Sequence, residues 1–364
     1  METKSLYIHI PFCETICKYC DFCKVYYDKK QAWQYLEVLS QELRSLPVDF
    51  PINTIYIGGG TPSAFNDEQL EYLMDHLKPY SQGVKEYCIE VNPESMDLYK
   101  LKILKLGGIN RLSIGVQTFQ NHLLKGIDRH HSQQQVLRLI KQAQQLGFSN
   151  ISIDLMYGLP QQTLTDIKED LKIVATLNIQ HISYYSLILE DHTILQYEHY
   201  QPLDSEQEYG LNVYIDDTLR NMGFYQYEIS NYAKEGYESQ HNLAYWHYDN
   251  YYGIGIGACS KIDHLIIENS RSITNYINHN AKNKVIEQNK EETMFNHIMM
   301  SLRLNEGLDL ERFYHLYQED ATVLYQKAIH KNIDRGCLEI RNNHLMTTKK
   351  GMYLLNQVLL DFLE

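Results

Sequence analysis

Short apolar runs alternate with longer stretches of helical periodicity through the first 230 residues. Six runs read as strands: Leu6–Ile10, Thr54–Gly58, Tyr87–Val91, Arg111–Gly115, Ile151–Leu155 and Ile182–Leu187. Between and after them the pattern predicts helices over Gln31–Leu46, Asp67–Leu77, Asp97–Leu106, Gln133–Leu146, Leu164–Leu177 and Glu206–Met222. Two helix starts carry capping signals, Asn66 with Gln69 and Thr163 with Asp166. Strands that alternate with helices imply a parallel sheet. Six such units fit an incomplete (β/α)6 barrel, and a doubly wound sheet almost as well. In either arrangement ligands bind beyond the C-terminal ends of the strands.

The alternation stops after Tyr227–Ser230. Residues 231–290 are rich in Asn, Tyr, Gly and His and are expected to be irregular. A helix is predicted near Glu291–Leu302. Beyond it lies a small helical domain with a hairpin, Leu338–Arg341 and His344–Thr347, in a winged-helix-like α+β pattern. The expected division is 1–230, 231–290 and 291–364. The last part holds seven Lys and Arg against eight Asp and Glu, so it lacks a phosphate-binding footprint. Packing or partner docking is its expected role.

Composition narrows the function classes. The 364 residues are 44% hydrophobic, enough for one large and one smaller domain. A net charge of −13 disfavours nucleic acid or an anionic membrane as the main partner. No apolar run reaches the roughly 20 residues of a membrane span. The start, Met1-Glu2-Thr3-Lys4-Ser5, shows no secretory pattern. Four of the seven cysteines crowd into residues 13–23. Clustered thiols without a secretory signal predict a cytoplasmic metal site rather than a disulfide framework.

The run Pro11-Phe12-Cys13-Glu14-Thr15-Ile16-Cys17-Lys18-Tyr19-Cys20-Asp21-Phe22-Cys23 follows the first strand directly, at the mouth of the sheet. Thiolates are the normal ligands of iron–sulfur clusters, and three of them leave one of four irons open. Structural zinc is the alternative for this loop, with Cys23 as the fourth ligand. Other chemistry gathers at the following strand ends. Gly58-Gly59-Gly60-Thr61-Pro62 closes the second strand, and its glycines permit close backbone approach. Glu90 ends the third strand, where an isolated carboxylate among apolar residues needs a partner. Gln117 follows the fourth, Arg129 lies in the loop beyond it, and Asp154 ends the fifth.

Cys13-x3-Cys17-x2-Cys20, with Tyr19 before the last cysteine, resembles the signature loop of the radical S-adenosylmethionine (SAM) superfamily. The resemblance implies that Cys13, Cys17 and Cys20 hold a [4Fe-4S] cluster whose open iron binds SAM, and that an electron from the cluster breaks the C–S bond of SAM. A low-potential electron donor is then an implied partner. Residues 6–190 are similar to the oxygen-independent coproporphyrinogen oxidase family. That similarity assigns SAM contacts to Tyr7, Tyr19, Gly59, Gly60, Thr61, Glu90, Gln117, Arg129, Asp154 and Ile188. Arg129 suits the methionine carboxylate, and Gln117 and Asp154 suit ribose hydroxyls.

Two features depart from the decarboxylating oxidases. Those enzymes carry a fourth cysteine two residues after the third, where this chain has Phe22. They also carry a long segment ahead of the cluster loop. A third feature is His241-Asn242-Leu243-Ala244-Tyr245-Trp246, which resembles the His-Asn-x-x-Tyr-Trp motif of the HemW-type heme chaperone family. By that resemblance His241 is the expected axial ligand of haem, with Tyr245 and Trp246 able to stack on the macrocycle. Gly253-x-Gly255-x-Gly257 is expected to let backbone approach the cluster side. The reading is a chaperone that keeps a radical SAM core and passes haem to haem-requiring proteins. The alternatives are an oxygen-independent coproporphyrinogen III dehydrogenase and a zinc-stabilised binding module.

Overall fold

A computed structural model describes residues 4–46 and 52–363. Six strands stand where the apolar runs predict them: β1 (Ser5–Ile10), β2 (Thr54–Gly59), β3 (Glu86–Val91), β4 (Arg111–Gln117), β5 (Asn150–Tyr157) and β6 (His181–Ser186). They pair in parallel and in chain order. Helices Lys29–Ser45, Asp67–Leu77, Leu98–Leu106, Gln133–Gln145 and Leu164–Val174 connect them. Asn66 with Gln69 and Thr163 with Asp166 both form capping boxes, as their spacing predicts.

Side chains alternate between the two faces of a strand, and here the faces differ in chemistry. Ile8, Ile57, Ile89, Leu112, Ile114 and Ile153 join Leu36, Leu39, Leu70, Leu101 and Leu139 of the helices in one buried core. Each fully buried aliphatic side chain of this kind is worth roughly 1.5–3 kcal/mol. The register puts Tyr7 beside Tyr56, Glu90 beside Ser113, and Asp154 beside Gly115 and Ser183. These residues share the other face, which is therefore polar across the parallel strands. That face carries the site.

The segment 231–290 corrects the expectation of irregular structure. Asn231–Ala233 runs antiparallel to β6, and Tyr225–Gln226 pairs beyond it. Tyr251–Ile254 runs parallel to β1 on its other side, with Leu6 opposite Tyr252. Cys259–Ile262, Leu265–Glu268 and Lys284–Glu287 continue from it as an antiparallel meander. Among the described residues the result is a mixed twelve-stranded sheet, in which strands from beyond residue 230 flank those of the first 230 on both sides. These strands are two to four residues long, too short to show an alternation, and pairing with distant strands holds them.

A helix at Lys290–Ser301 begins a second apolar core, built on Ile298, Leu302, Phe313, Ile329, Leu345 and Val358. Strands Leu338–Arg341 and His344–Thr347 form the expected hairpin, and Leu308–Asp309 adds a third strand. Among the described residues no helix is long and apolar enough to cross a membrane.

Candidate functional site

The cysteine loop leaves β1 and is pinned at both ends. Phe12–Cys13 pairs with Val25–Tyr26, so the loop departs and returns side by side. Thr61 donates its backbone N–H to the Phe12 carbonyl at 2.8 Å, and Lys18 donates to Ile127 at 3.2 Å. The glycine turn after β2 presses on this loop. A Cβ on Gly60 would lie 2.7 Å from the Pro11 carbonyl and 3.0 Å from the Cys13 sulfur. Gly59 has φ +118°, which favours glycine, and a Cβ there would meet the His9 ring at 2.7 Å.

These elements border a cavity of about 340 Å³. Cys13, Cys17 and Cys20 line it, together with Tyr19, Gly59, Gly60, Thr61, Glu90, Gln117, Arg129 and Asp154. Eleven of the fourteen expected site residues therefore meet in one place. Glu90 accepts from the Tyr56 hydroxyl at 2.7 Å and from the Gly59 N–H at 3.1 Å. Burial nevertheless pushes its carboxyl up to about 7. Burial likewise pushes Asp154 up to about 6, although Ser113 donates to it at 3.1 Å. Gln117 sits at φ +66° and accepts from the Tyr185 hydroxyl at 3.1 Å. Arg129 is 4% exposed. It donates to the Gly115 carbonyl at 2.5 Å and approaches Glu94 at 3.6 Å and the Cys17 sulfur at 3.9 Å.

The remaining three expected residues lie elsewhere. Tyr7 shares the sheet face of the site without lining the cavity, stacked on Tyr56, which does, and bonded to His9 Nδ1 at 2.9 Å. Ile188 is 70% exposed and borders a different cavity. His241 is 1% exposed and lies at the opposite end of the sheet, beside Thr54, the first residue of β2. Thr54 Oγ1 bonds its Nδ1 at 2.9 Å, and the Tyr245 hydroxyl bonds its Nε2 at 2.8 Å. Burial lowers its pKa to about 3, so the ring is neutral. In this arrangement both ring nitrogens of His241 are engaged in hydrogen bonds.

Cys23 also faces away from the cavity. Its thiol approaches the Arg271 carbonyl at 3.7 Å, and a Cβ on Gly257 would lie 2.6 Å from the Cys23 Cβ. Of the three glycines only Gly257 packs on the cysteine loop, at its back. Gly253 meets Cys259 and Gly255 meets Tyr35 and His9, and none of them lines the cavity, contrary to the expected approach to the cluster side. The zinc alternative loses its fourth ligand by this geometry. Among the described residues no three His, Cys, Asp or Glu side chains converge on one ion. A cluster spreads its thiolates around a larger body than a single ion does, so three separated thiols on one cavity wall fit it. The cavity also fits a ligand that is both cationic and carboxylate-bearing. Arg129 Nε is buried without a hydrogen-bond partner among the described residues, and two carboxylates with raised pKa values wait for positive charge.

Several residues at the site carry no motif. Tyr56 and Tyr185 supply hydroxyls to Glu90 and Gln117, and Ser183, Ser230 and Asn231 line the cavity. Glu94, which braces Arg129 and His131, was detectable as a second carboxylate just past the end of β3.

Residues 7–174 match the radical SAM superfamily profile, and residues 288–354 match the HemN C-terminal domain. The chain is 37% identical over 376 residues to the heme chaperone HemW of Bacillus subtilis (strain 168), covering 99% of each. It is 35% identical over 371 residues to the heme chaperone HemW of Lactococcus lactis subsp. lactis, covering 100% of this chain and 98% of the relative. Coproporphyrinogen III oxidase (HemN) from Escherichia coli, a radical SAM enzyme, superposes with a TM-score of 0.85. Its identity is 23%, over 99% of this chain and 90% of that one, so the likeness concerns the fold.

Proposed function

The chain belongs to the HemW family of heme chaperones, within the radical SAM superfamily, and on that premise we propose that it binds haem and hands it to haem-requiring proteins while holding a [4Fe-4S] cluster and SAM. The observation that carries the cofactor reading is the 340 Å³ cavity itself. It joins three loop thiols to Arg129, Glu90 and Asp154.

In this reading Cys13, Cys17 and Cys20 are the cluster ligands. When bound, the cluster and SAM supply one-electron chemistry. The residues of this chain bind, orient and exclude water. Arg129 holds the methionine carboxylate through the Nε that lacks a partner. The Gly59–Gly60 turn and Thr61 meet the amino group, and Tyr19 closes over the loop. Glu90 and Asp154 offset the positive charge of SAM, and Gln117 and Asp154 take its ribose hydroxyls. The architecture is read as an incomplete six-unit barrel with a winged-helix-like C-terminal domain, supported by the parallel strand order and the 338–347 hairpin. The protein is placed in the cytoplasm with a low-potential electron donor as partner.

A second reading is the coproporphyrinogen III dehydrogenase, which has the shared fold in its favour. Phe22, at the cavity mouth where the oxidases carry a cysteine, supports the chaperone instead. The test is anaerobic reconstitution followed by iron and sulfide analysis, haem titration and a decarboxylation assay on one sample. The expected result is a cluster, haem binding and no conversion of coproporphyrinogen III. Efficient decarboxylation would replace the chaperone reading with the dehydrogenase.

A further inference from the structure

A second cavity, of about 940 Å³, opens where β6 and helix Ser205–Asn221 meet the C-terminal residues Lys349–Leu354. It lies at the upper end of the 300–1,000 Å³ typical of small-ligand pockets, and at a junction between two apolar cores, a common place for one. Its walls are rich in tyrosine. Tyr209 and Tyr353 meet edge to face with ring centres 4.7 Å apart. Ile188 borders it while 70% exposed, a bare aliphatic side chain with nothing covering it. Apolar and aromatic walls of this extent suit a large apolar ring system.

Four charged side chains line the cavity. Glu206 and Glu208 line it near the start of helix Ser205–Asn221. Lys349 and Lys350 also line it, and Lys349 is compensated by Asp216 at 2.9 Å and Asp217 at 3.9 Å, roughly 12–15 Å further along that helix. Lys350 donates to the Arg335 carbonyl at 2.7 Å, an uncharged partner. Lys350 is therefore the cation on this wall left to pair with an acidic arm of a ligand, while Glu206 and Glu208 repel one. Tyr185 and Ser230 line this cavity and the cysteine cavity alike, so the two sites share a wall.

We infer that this cavity is the haem site, with a propionate toward Lys350 and the ring between the tyrosine walls and Ile188. The inference rests on the chaperone reading, and moves the haem away from His241 to the far side of the Tyr185–Ser230 wall.

The test is haem titration of the full-length, cluster-loaded protein, followed by the Soret band. Lys350→Glu reverses a charge at the propionate end. Ile188→Asp puts a carboxylate where the apolar ring should rest, at an exposed position that the core does not need. Retained cluster absorption and thermal midpoint show that each variant is folded. Both variants should bind haem at least tenfold more weakly than the wild type. Affinity within threefold of wild type in either variant overturns the site while the chaperone reading stands. So does loss of haem in His241→Leu alone. A wild type that binds no haem overturns the chaperone reading and the site with it.

Discussion

The imidazole of His241 stacks on the phenol of Tyr56, ring centres 5.1 Å apart and planes 24° apart. The Tyr56 hydroxyl in turn donates to Glu90. The motif histidine thus supports the cavity from behind, through two side chains, and is held neutral by burial. The Glu86 carboxylate fixes its helix by accepting from the Ser239 hydroxyl and from the N–H groups of Gln240 and His241.

Replacing His241 by Leu should therefore cost stability in a pH-dependent way. At pH 7 the lost hydrogen bonds to Thr54 and Tyr245 should cost about 1–3 kcal/mol. The folded-state pKa is about 3, against 6.5 when exposed, so the unfolded chain takes up a proton that the folded chain rejects. The stability of the neutral buried ring is fully present above about pH 6.5 and is lost as pH falls toward 3. At about 1.4 kcal/mol per unit, the wild type has lost about 2 kcal/mol from this residue by pH 5. Leucine has no such loss, so urea unfolding should find the gap between the two proteins narrower at pH 5 than at pH 7. A gap independent of pH would mean that the ring is not buried and neutral.

Serine at Cys13, Cys17 or Cys20 should abolish the cluster absorption, because each thiol borders the same cavity. Cys23→Ser should retain it, since that thiol faces Gly257 and the Arg271 carbonyl. Stoichiometric loss of iron in Cys23→Ser would make the fourth cysteine a ligand after all.

Arg129→Ala should weaken SAM binding. One charge-assisted hydrogen bond is worth roughly 1.5–3 kcal/mol, or about one to two orders of magnitude in affinity. Calorimetry on the cluster-loaded protein measures it, and an unchanged affinity would take Arg129 out of the site.

Asp170 acts on the site through the backbone. Its carboxylate accepts from Thr118 Oγ1 at 2.7 Å, the Phe119 N–H at 3.0 Å and Gln120 Nε2 at 2.9 Å, fixing the loop that follows Gln117. Asp170→Ala leaves the buried Thr118 hydroxyl and Phe119 N–H without that partner, for a cost of about 1–3 kcal/mol each. The thermal midpoint should fall, and SAM affinity should fall with it as Gln117 loses its fixed position. A lower midpoint with unchanged SAM affinity would confine Asp170 to a structural part.

The parallel strands were legible because one face of each must be apolar to cover the helices, which leaves runs such as Ile55 to Ile57 and Ile151 to Ile153. The cysteine spacing and the Gly58–Gly60 turn were legible because few backbones need those residues together. The short strands after residue 231 were not, because Tyr251–Ile254 gains its partner from a strand some 245 residues earlier. His241 and Ile188 show the limit of motif reading at the site. A motif names residues, whereas the sheet decides at which end of it they lie.

The pairing of Tyr251–Ile254 with β1 also bears on how the protein is made. Synthesis runs from the N-terminus, and β1 emerges with the cysteine loop attached long before its second neighbour exists. Until residue 254 leaves the ribosome, β1 is an open edge with three unprotected thiols at its tip, a surface prone to pairing with other chains. The back of the loop is covered later still, when Arg271 reaches the Asp21 carbonyl. The growing polypeptide thus offers its cysteine loop to solvent through most of translation, and the back of that loop is covered only in the last third.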